Sequence, residues 1–429
     1  MAQMDTAQHF TGAEPLRICF VTETFPPEIN GVALTVARLI DGLTARGHKI
    51  SLVRPYQSHA DGAMVDSSVT LVRGLPLPGY LGLQFGLPVG RLLHRRWSHS
   101  RPDAVYIATE GPLGWSAAGA ARKLGIATLS GFHTNYHSYS CHYGLGCLQS
   151  IVLRYLRSLH NRTGRTLVPS FDLQMHLRSF GFRNVNLLAR GVDSDQFGPH
   201  HRCEKLRRSW GLDSHECAVL YVGRIAPEKN LSLALEAYRA MRHSNDSCRF
   251  ILVGDGPMRA SLQRSHPDLI FCGMKRGREL SEHFASGDLF LFPSETETFG
   301  NVTLEAMASG LGVLAYDYAA ARMHISHGIT GALAPYGDSD AFIAWGVRLA
   351  SDSGLVRTLG MRAREYAQSV NWSQVLDCFV SHLCSVCLQA TDVRTKAILA
   401  PGMNDYEEVV KSANERRIPN LESAPQPGA

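Results

Sequence analysis

LFLFPSETETFGNVTLEAMASG, residues 289–310, runs from an apolar strand pattern through a polar loop into a short helix pattern. Leu289 to Pro293 reads as a buried strand, and Asn301 to Ala308 as a helix closed by Gly310. Glu297 then falls on the loop and Glu305 one turn into the helix. The N–H groups of Asn301, Val302 and Thr303, just after Gly300, have no carbonyl a turn behind them and face whatever binds above the strand end. A helix N-terminus over a parallel sheet attracts phosphate. Flanking carboxylates repel phosphate but accept hydrogen bonds from sugar or ribose hydroxyls. The stretch therefore predicts a site for a molecule carrying both phosphate and sugar. Its bland alternative is a solvated loop glutamate beside an ordinary helix glutamate.

The strand-then-helix alternation continues on both sides, which argues for parallel α/β sheets. Arg17 to Glu23 is a strand, and the loop after it ends at Gly31. A helical spacing then runs through Val32, Val36, Leu39, Ile40 and Leu43 to Lys49–Arg54, the second strand of a βαβ unit. Further strands are expected at Ala104 to Ala108, Ala127 to Phe132 and Thr166 to Pro169. A second series begins after Trp210, with strands at Ala218 to Gly223, Phe250 to Gly254, Leu269 to Gly273, Leu289 to Pro293 and Gly312 to Tyr316. The expected architecture is two Rossmann-like domains, 15–200 and 201–375, facing each other across a cleft. Around them lie a tail over 1–14, a helix over 376–392 crossing back to the first domain, and a loosely ordered tail over 393–429. Ligands of such sheets bind outside the carboxyl ends of the strands.

Composition agrees with this division. The 429 residues exceed one ordinary core, and 45% hydrophobic with 19% charged residues is the balance of a globular protein. No apolar run approaches the roughly 20 residues of a membrane span, and the polar first fifteen residues do not read as a secretory signal. Ten scattered cysteines, several inside strand patterns, suit buried free thiols in a reducing compartment, so a cytoplasmic location is expected. Cys384 and Cys387 form one CxxC with no second pair, which reads as packing. Charge is uneven: residues 51–190 hold 15 Lys and Arg against 5 Asp and Glu, a local +10 in a chain of net +5. It concentrates in Arg91–Trp97 and Ile151–His160, where basic residues mix with Leu, Trp and Tyr at helical spacing. A helix lying on the inner face of an anionic membrane has this pattern, and so has a packing helix whose arginines reach water. No nucleic-acid motif accompanies the charge.

Strand ends supply the candidate chemistry. Gly223-Arg224 is followed five positions on by Lys229, two cations able to straddle a diphosphate. Gly254-Asp255-Gly256-Pro257 is a tight turn that lets a ligand approach the backbone, although the full G-x-G-x-x-G fingerprint is missing. Asn30-Gly31 opens a helix after the first strand, a second phosphate-facing N-terminus. His133, Tyr136 and His137 follow the strand ending near Phe132; His133 at that place suits contact with a substrate hydroxyl or a proton relay. With His142 they lack the carboxylate or cysteine partners of a metal site.

Together these residues resemble the retaining glycosyltransferases of family 4, which have the GT-B fold. The resemblance spans about residues 17–390 and rests on Asn30-Gly31, the GR-x4-K at Arg224 and Lys229, VGDGP at 253–257, and the E-x7-E of Glu297 and Glu305. Arg190-Gly-Val-Asp193 with Phe197 is similar to the family's interdomain segment. More narrowly, VTETFPPEINGV, RGVDSDQF and GMKRGREL resemble GDP-mannose-dependent α-mannosyltransferases and sulfoquinovosyl- or glucosyl-diacylglycerol synthases. The resemblance implies an acceptor domain first and a nucleotide-sugar domain second. It further implies catalytic roles for His133, Arg224, Lys229 and Glu297. The donor would be held by Asn30, Gly31, Gly223, Gly254, Gly300, Asn301, Val302 and Glu305, and the acceptor by Tyr136 and His137. Arg224 and Lys229 would neutralise the leaving diphosphate, so no metal or other cofactor is expected.

The leading expectation is a hexosyltransferase using a nucleotide sugar, GDP-mannose ahead of UDP-hexoses, and a lipid or glycan acceptor. A UDP-sugar-dependent diacylglycerol glycosyltransferase is the alternative. A non-catalytic nucleotide-sugar binder would not need all of Glu297, Glu305, Arg224, Lys229 and His133. A two-domain NAD-dependent oxidoreductase is disfavoured by the missing glycine fingerprint and by the acidic motif.

Overall fold

Two all-parallel sheets carry the fold in the computed structural model, which describes residues 15–28, 30–57, 68–76, 84–133, 146–213 and 216–390. The first half contributes β1 (Arg17–Val21), β2 (Lys49–Pro55), β3 (Val69–Val72), a small antiparallel pair β4 (Gly74–Pro76) and β5 (Gln84–Gly86), then β6 (Ala104–Ile107), β7 (Ala127–Gly131), β8 (Arg165–Val168) and β9 (Val185–Leu187). The second contributes β10 (Cys217–Val222), β11 (Cys248–Val253), β12 (Ile270–Gly273), β13 (Leu289–Phe292), β14 (Gly312–Tyr316) and β15 (Ala332–Ala334). Strand order is β3-β2-β1-β6-β7-β8-β9 in one sheet and β12-β11-β10-β13-β14-β15 in the other. These strands read as continuous apolar runs because helices cover both faces of a parallel sheet. The α/β class and the two Rossmann-like halves are therefore as expected.

Each order reverses at a switch point, between β1 and β6 in the first sheet and between β10 and β13 in the second. The loops leaving carboxyl ends there diverge and open a crevice. The loops ending at Asn30 and those carrying Arg224 and Glu297 leave these very strands.

The chain crosses between the halves twice. Val192 bridges Asn371, and the backbone of Gly191 runs so close to Trp372 that a β-carbon there would sit 2.8 Å from its nitrogen. Helix Trp372–Ala390 then buries Val375, Leu376, Phe379, Leu383 and Val386 against the first sheet. The Phe379 ring lies 5.0 Å from Tyr106 and 6.0 Å from Phe20, so the last helix completes the core of the first half. Cys384 and Cys387 pack on this face as free thiols.

Edge strands β3, β9 and β15, of three or four residues, and the β4–β5 pair were not foreseen; such short segments have no periodicity to read. The expected tails over 1–14 and 393–429 lie outside the described residues. Among the described residues no helix is long and apolar enough to cross a membrane.

The two basic stretches are helices. Gly90–His99 buries Leu93 and Trp97 and turns Arg91, Arg95 and Arg96 outward. On Gly146–His160, Ile151 is 63% and Val152 44% exposed, next to exposed Arg154 and Arg157.

Candidate active site

The loop from β13 to helix Asn301–Ala308 is tied on every side. Gly300 takes a left-handed conformation (φ 95°) at the helix start, which glycine adopts without steric cost, and no side chain caps the helix. The N–H groups of Asn301 and Val302 are thus left for a ligand, whereas that of Thr303, also expected to face one, donates to the Gly300 carbonyl at 3.1 Å. Across the cleft, Gly31 opens helix Gly31–Ala45, and a β-carbon on Gly31 would lie 4.0 Å from Asn301 Nδ2. Two helix N-termini, one from each half, face each other. Asn30 itself works as a cap: its Oδ1 accepts from the N–H groups of Val32 and Ala33 at 3.1 and 2.8 Å, so those two donors are not free for phosphate.

Lys229 and Glu297 meet although 68 positions separate them. Lys229 closes a 3-10 turn over Pro227–Lys229, left-handed Asn230 redirects the chain, and Lys229 Nζ donates to Glu297 Oε1. Ser294 Oγ donates to the same carboxylate oxygen at 2.8 Å. Both side chains are largely shielded, 16% and 13% exposed. Arg224 instead turns to Glu228 at 3.4 Å and stays half exposed. Gly223 and Gly254 serve each other: a β-carbon on Gly254 would fall 1.9 Å from the Gly223 carbonyl oxygen, and one on Gly256 2.3 Å from that of Ile225. The tight approach expected at this turn is thus made by the neighbouring loop, with Ile225 N–H donating to Asp255 O at 2.9 Å.

His133 is half-buried at the end of β7, and its ring is fully engaged. Arg190 Nη2 lies 2.9 Å from Nδ1 and Tyr106 Oη 3.2 Å from Nε2. A guanidinium only donates, so Nδ1 must be the acceptor and the ring proton sits on Nε2. Burial, then the charge of Arg190, holds this imidazole well below its ordinary pKa. The geometry therefore does not support the proton-relay reading, because a second ring proton would point at a cation. The His133 carbonyl accepts from Thr298 Oγ1 at 3.3 Å, bringing it to the Glu297 loop. Tyr136 and His137 lie outside the described residues.

Glu305 is half-buried and its carboxylate accepts no hydrogen bond from a described residue; burial pushes its pKa up to about 7, opposed by the charge of Arg38. Arg38 is committed elsewhere, to Asp193 at 3.2 Å and Gln196 at 2.8 Å, with its guanidinium 5.5 Å from the Trp372 ring centre. A carboxylate with spare acceptor capacity beside two helix N-termini suits ligand hydroxyls. Sequence reasoning gave no role to Arg38, Asp172 or Tyr318. Each has only an ordinary local setting, a helix face, a helix first turn or a loop aromatic. Arg190 was noted within RGVD but not as a partner of His133.

Comparison with known proteins places both halves of the chain. The description "Glycosyltransferase Family 4" matches residues 29–196, and "Glycosyl transferases group 1" matches 216–352. The chain is 35% identical over 327 residues to a GDP-mannose-dependent alpha-mannosyltransferase of Mycobacterium tuberculosis (strain CDC 1551 / Oshkosh), covering 75% of this chain and 85% of the relative. It is 29% identical over 373 residues to sulfoquinovosyl transferase SQD2 of Arabidopsis thaliana, covering 84% and 72%. Sucrose-phosphate synthase of Thermosynechococcus elongatus superposes with a TM-score of 0.69 at 19% identity, over 88% of this chain and 100% of the other, a likeness of fold alone. With the GT-B arrangement of its two halves and the E-x7-E glutamates at their cleft, the chain is a glycosyltransferase and belongs to family 4.

Proposed function

We propose that the protein moves a hexose from a nucleotide sugar, GDP-mannose ahead of UDP-hexoses, to a hydroxyl of a lipid acceptor with retention of the α configuration. The observation that carries this reading is the meeting of two helix N-termini at Gly31 and Asn301, with Lys229 and Glu297 paired on the adjoining loop. Amides from both halves would take the diphosphate oxygens, Glu305 the ribose hydroxyls, and Glu297 the donor sugar around its 3-hydroxyl. As the glycosidic bond breaks, the sugar gains oxocarbenium character and the diphosphate gains negative charge. Lys229, and Arg224 once it leaves Glu228, would stabilise that charge where it develops, as a divalent cation does in other transferases. Attack from the departing side lets the leaving phosphate oxygen take the acceptor's proton. No protein base is then needed, which accords with the engaged ring of His133.

The 35% identity to the mannosyltransferase supports GDP-mannose. A lipid acceptor, and peripheral binding on the cytoplasmic face of the membrane, are supported by exposed Ile151 and Val152 beside Arg154 and Arg157, and by the outward Arg91, Arg95 and Arg96. The test is nucleotide release by the purified protein from a panel of GDP- and UDP-sugars with diacylglycerol vesicles. Release from GDP-mannose, dependent on vesicles, is expected. A protein that turns over no donor would be a binder, and turnover in solution on soluble glycans alone would remove the lipid. Reversing charge at Arg95 and Arg96 should weaken partitioning to anionic vesicles, and unchanged partitioning would remove the membrane.

A further inference from the structure

Asp172 belongs to the first half, in the opening turn of helix Phe171–Ser179, yet both of its carboxylate oxygens are spent on the second half. Oδ1 pairs with Arg322 Nη1 at 2.5 Å, and Oδ2 accepts the backbone N–H of Ala319 at 3.0 Å. Ala319 holds a left-handed φ of 51°, which a residue with a β-carbon disfavours, so an outside group is needed to keep it there. The segment fixed in this way is in turn bonded to the donor loop. Tyr318 Oη donates to the Glu297 carbonyl at 3.2 Å, and Ala320 N–H to that of Phe299 at 2.9 Å. The first half grips the same loop a second time, through Thr298 Oγ1 to the His133 carbonyl at 3.3 Å and Ser170 Oγ to the Thr298 carbonyl at 3.4 Å. Arg322 is steadied from its own side by the Asp317 carbonyl and carboxylate, at 2.5 and 3.4 Å.

We infer that Asp172 is a positioning residue of the donor site: an acceptor-side carboxylate that sets Ala319 and Arg322, and through Tyr318 and Ala320 the backbone of Glu297 to Phe299. The nucleotide-sugar loop then has its working shape only while the two halves are docked. The inference deepens the proposed function and rests on it for its kinetic consequence. With both carboxylate oxygens taken by Arg322 and Ala319, Asp172 acts through the loop and not on a ligand. A bond to a charged group across a half-exposed gap is stronger than a solvated surface pair and weaker than a buried one, Arg322 being 36% and Asp172 22% exposed.

Amide hydrogen exchange on the full-length protein reads the arrangement without turnover. In Asp172→Ala, exchange at Phe299–Thr303 and Ala319–Arg322 should quicken about tenfold, with β11 and the thermal midpoint unchanged. Asp172→Asn keeps an acceptor for Ala319 at the same size and should show a smaller effect confined to the same peptides. KM for the donor should rise by about the same factor, with KM for the acceptor unmoved. Unchanged exchange in both variants would overturn the inference. So would faster exchange throughout with a lower midpoint, which is the mark of an ordinary structural residue, or altered exchange with normal donor kinetics. If no nucleotide sugar is turned over by the wild type, the proposed function fails while the exchange result still decides the role of Asp172.

Discussion

Replacing Glu305 by Gln should make the protein more stable and worse at holding its donor. Glu305 sits on helix Asn301–Ala308 with no donor to its carboxylate among the described residues, and the cation that opposes its burial, Arg38, is already paired with Asp193 and Gln196. Burial raises its pKa from the ordinary 4.5 to about 7. At about 1.36 kcal/mol per unit, that corresponds to roughly 3 kcal/mol, an upper bound because the residue's edge reaches solvent. The sign follows from proton linkage. A carboxyl with a raised folded pKa binds its proton more tightly in the folded state. The stability this brings is fully present below 4.5, is lost as pH rises to about 7, and leaves an ionised, poorly solvated carboxylate above that. Glutamine cannot ionise, so the variant should lie within about 1 kcal/mol of the wild type near pH 5 and exceed it by more at pH 8. For a cooperative unit of one domain's size, the gap is worth roughly 6–12 °C in Tm at most. Glu23, which burial also raises to about 7, titrates in both proteins and cancels in the difference. Thermal unfolding of both proteins at pH 5 and pH 8, with no nucleotide present, measures the gap. Calorimetric titration with GDP and UDP at pH 8 measures the cost, expected at about tenfold or more because an amide accepts ribose hydroxyls less strongly than a carboxylate. A stability gap that is equal at both pH values would refute the burial argument. Unchanged nucleotide affinity would refute the assignment of Glu305 to the ribose.

Two further outcomes bear on the loops around the cleft. Lys229→Ala should lower kcat by about 100-fold, or roughly 3 kcal/mol, if Lys229 stabilises the leaving group, and single-turnover kinetics giving a near-normal rate would reduce it to a partner of Glu297. Gly254→Ala should cost about 3 kcal/mol or more, since a β-carbon would overlap the Gly223 carbonyl oxygen and φ is 142°, whereas Gly277→Ala, with nothing within 4 Å, should cost about 1 kcal/mol. Denaturant unfolding of the pair checks this, and equal losses would mean the two loops can separate without penalty.

Much of the donor side was legible because it is local. A strand from Leu289, one residue shorter than expected at Phe292, and a helix opening at Asn301 follow from backbone periodicity. The positions of Arg224, Lys229 and Glu297 beyond strand ends follow in the same way. Their partners did not. That Lys229 would choose Glu297, and Arg224 would choose Glu228, depends on where two loops 68 residues apart come to rest. The sequence of the Gly254 turn suggests room for a ligand, while the side of Gly254 where a β-carbon would sit is taken by the Gly223 loop, a contact with no trace in either segment alone.

By itself the sequence determined the alternation of strands and helices, the side of each sheet on which polar loops gather, and the family, since these depend on residue types at short spacing. Tertiary structure decided which charges neutralise each other, that His133 is held between Arg190 and Tyr106, and that Asp172 reaches Arg322 across 150 positions. The physical reason is one of range. Periodicity and capping are properties of a few successive residues, whereas the partner of a buried charge is set by how two independently formed sheets dock, and nothing in the neighbourhood of Asp172 announces the segment it meets.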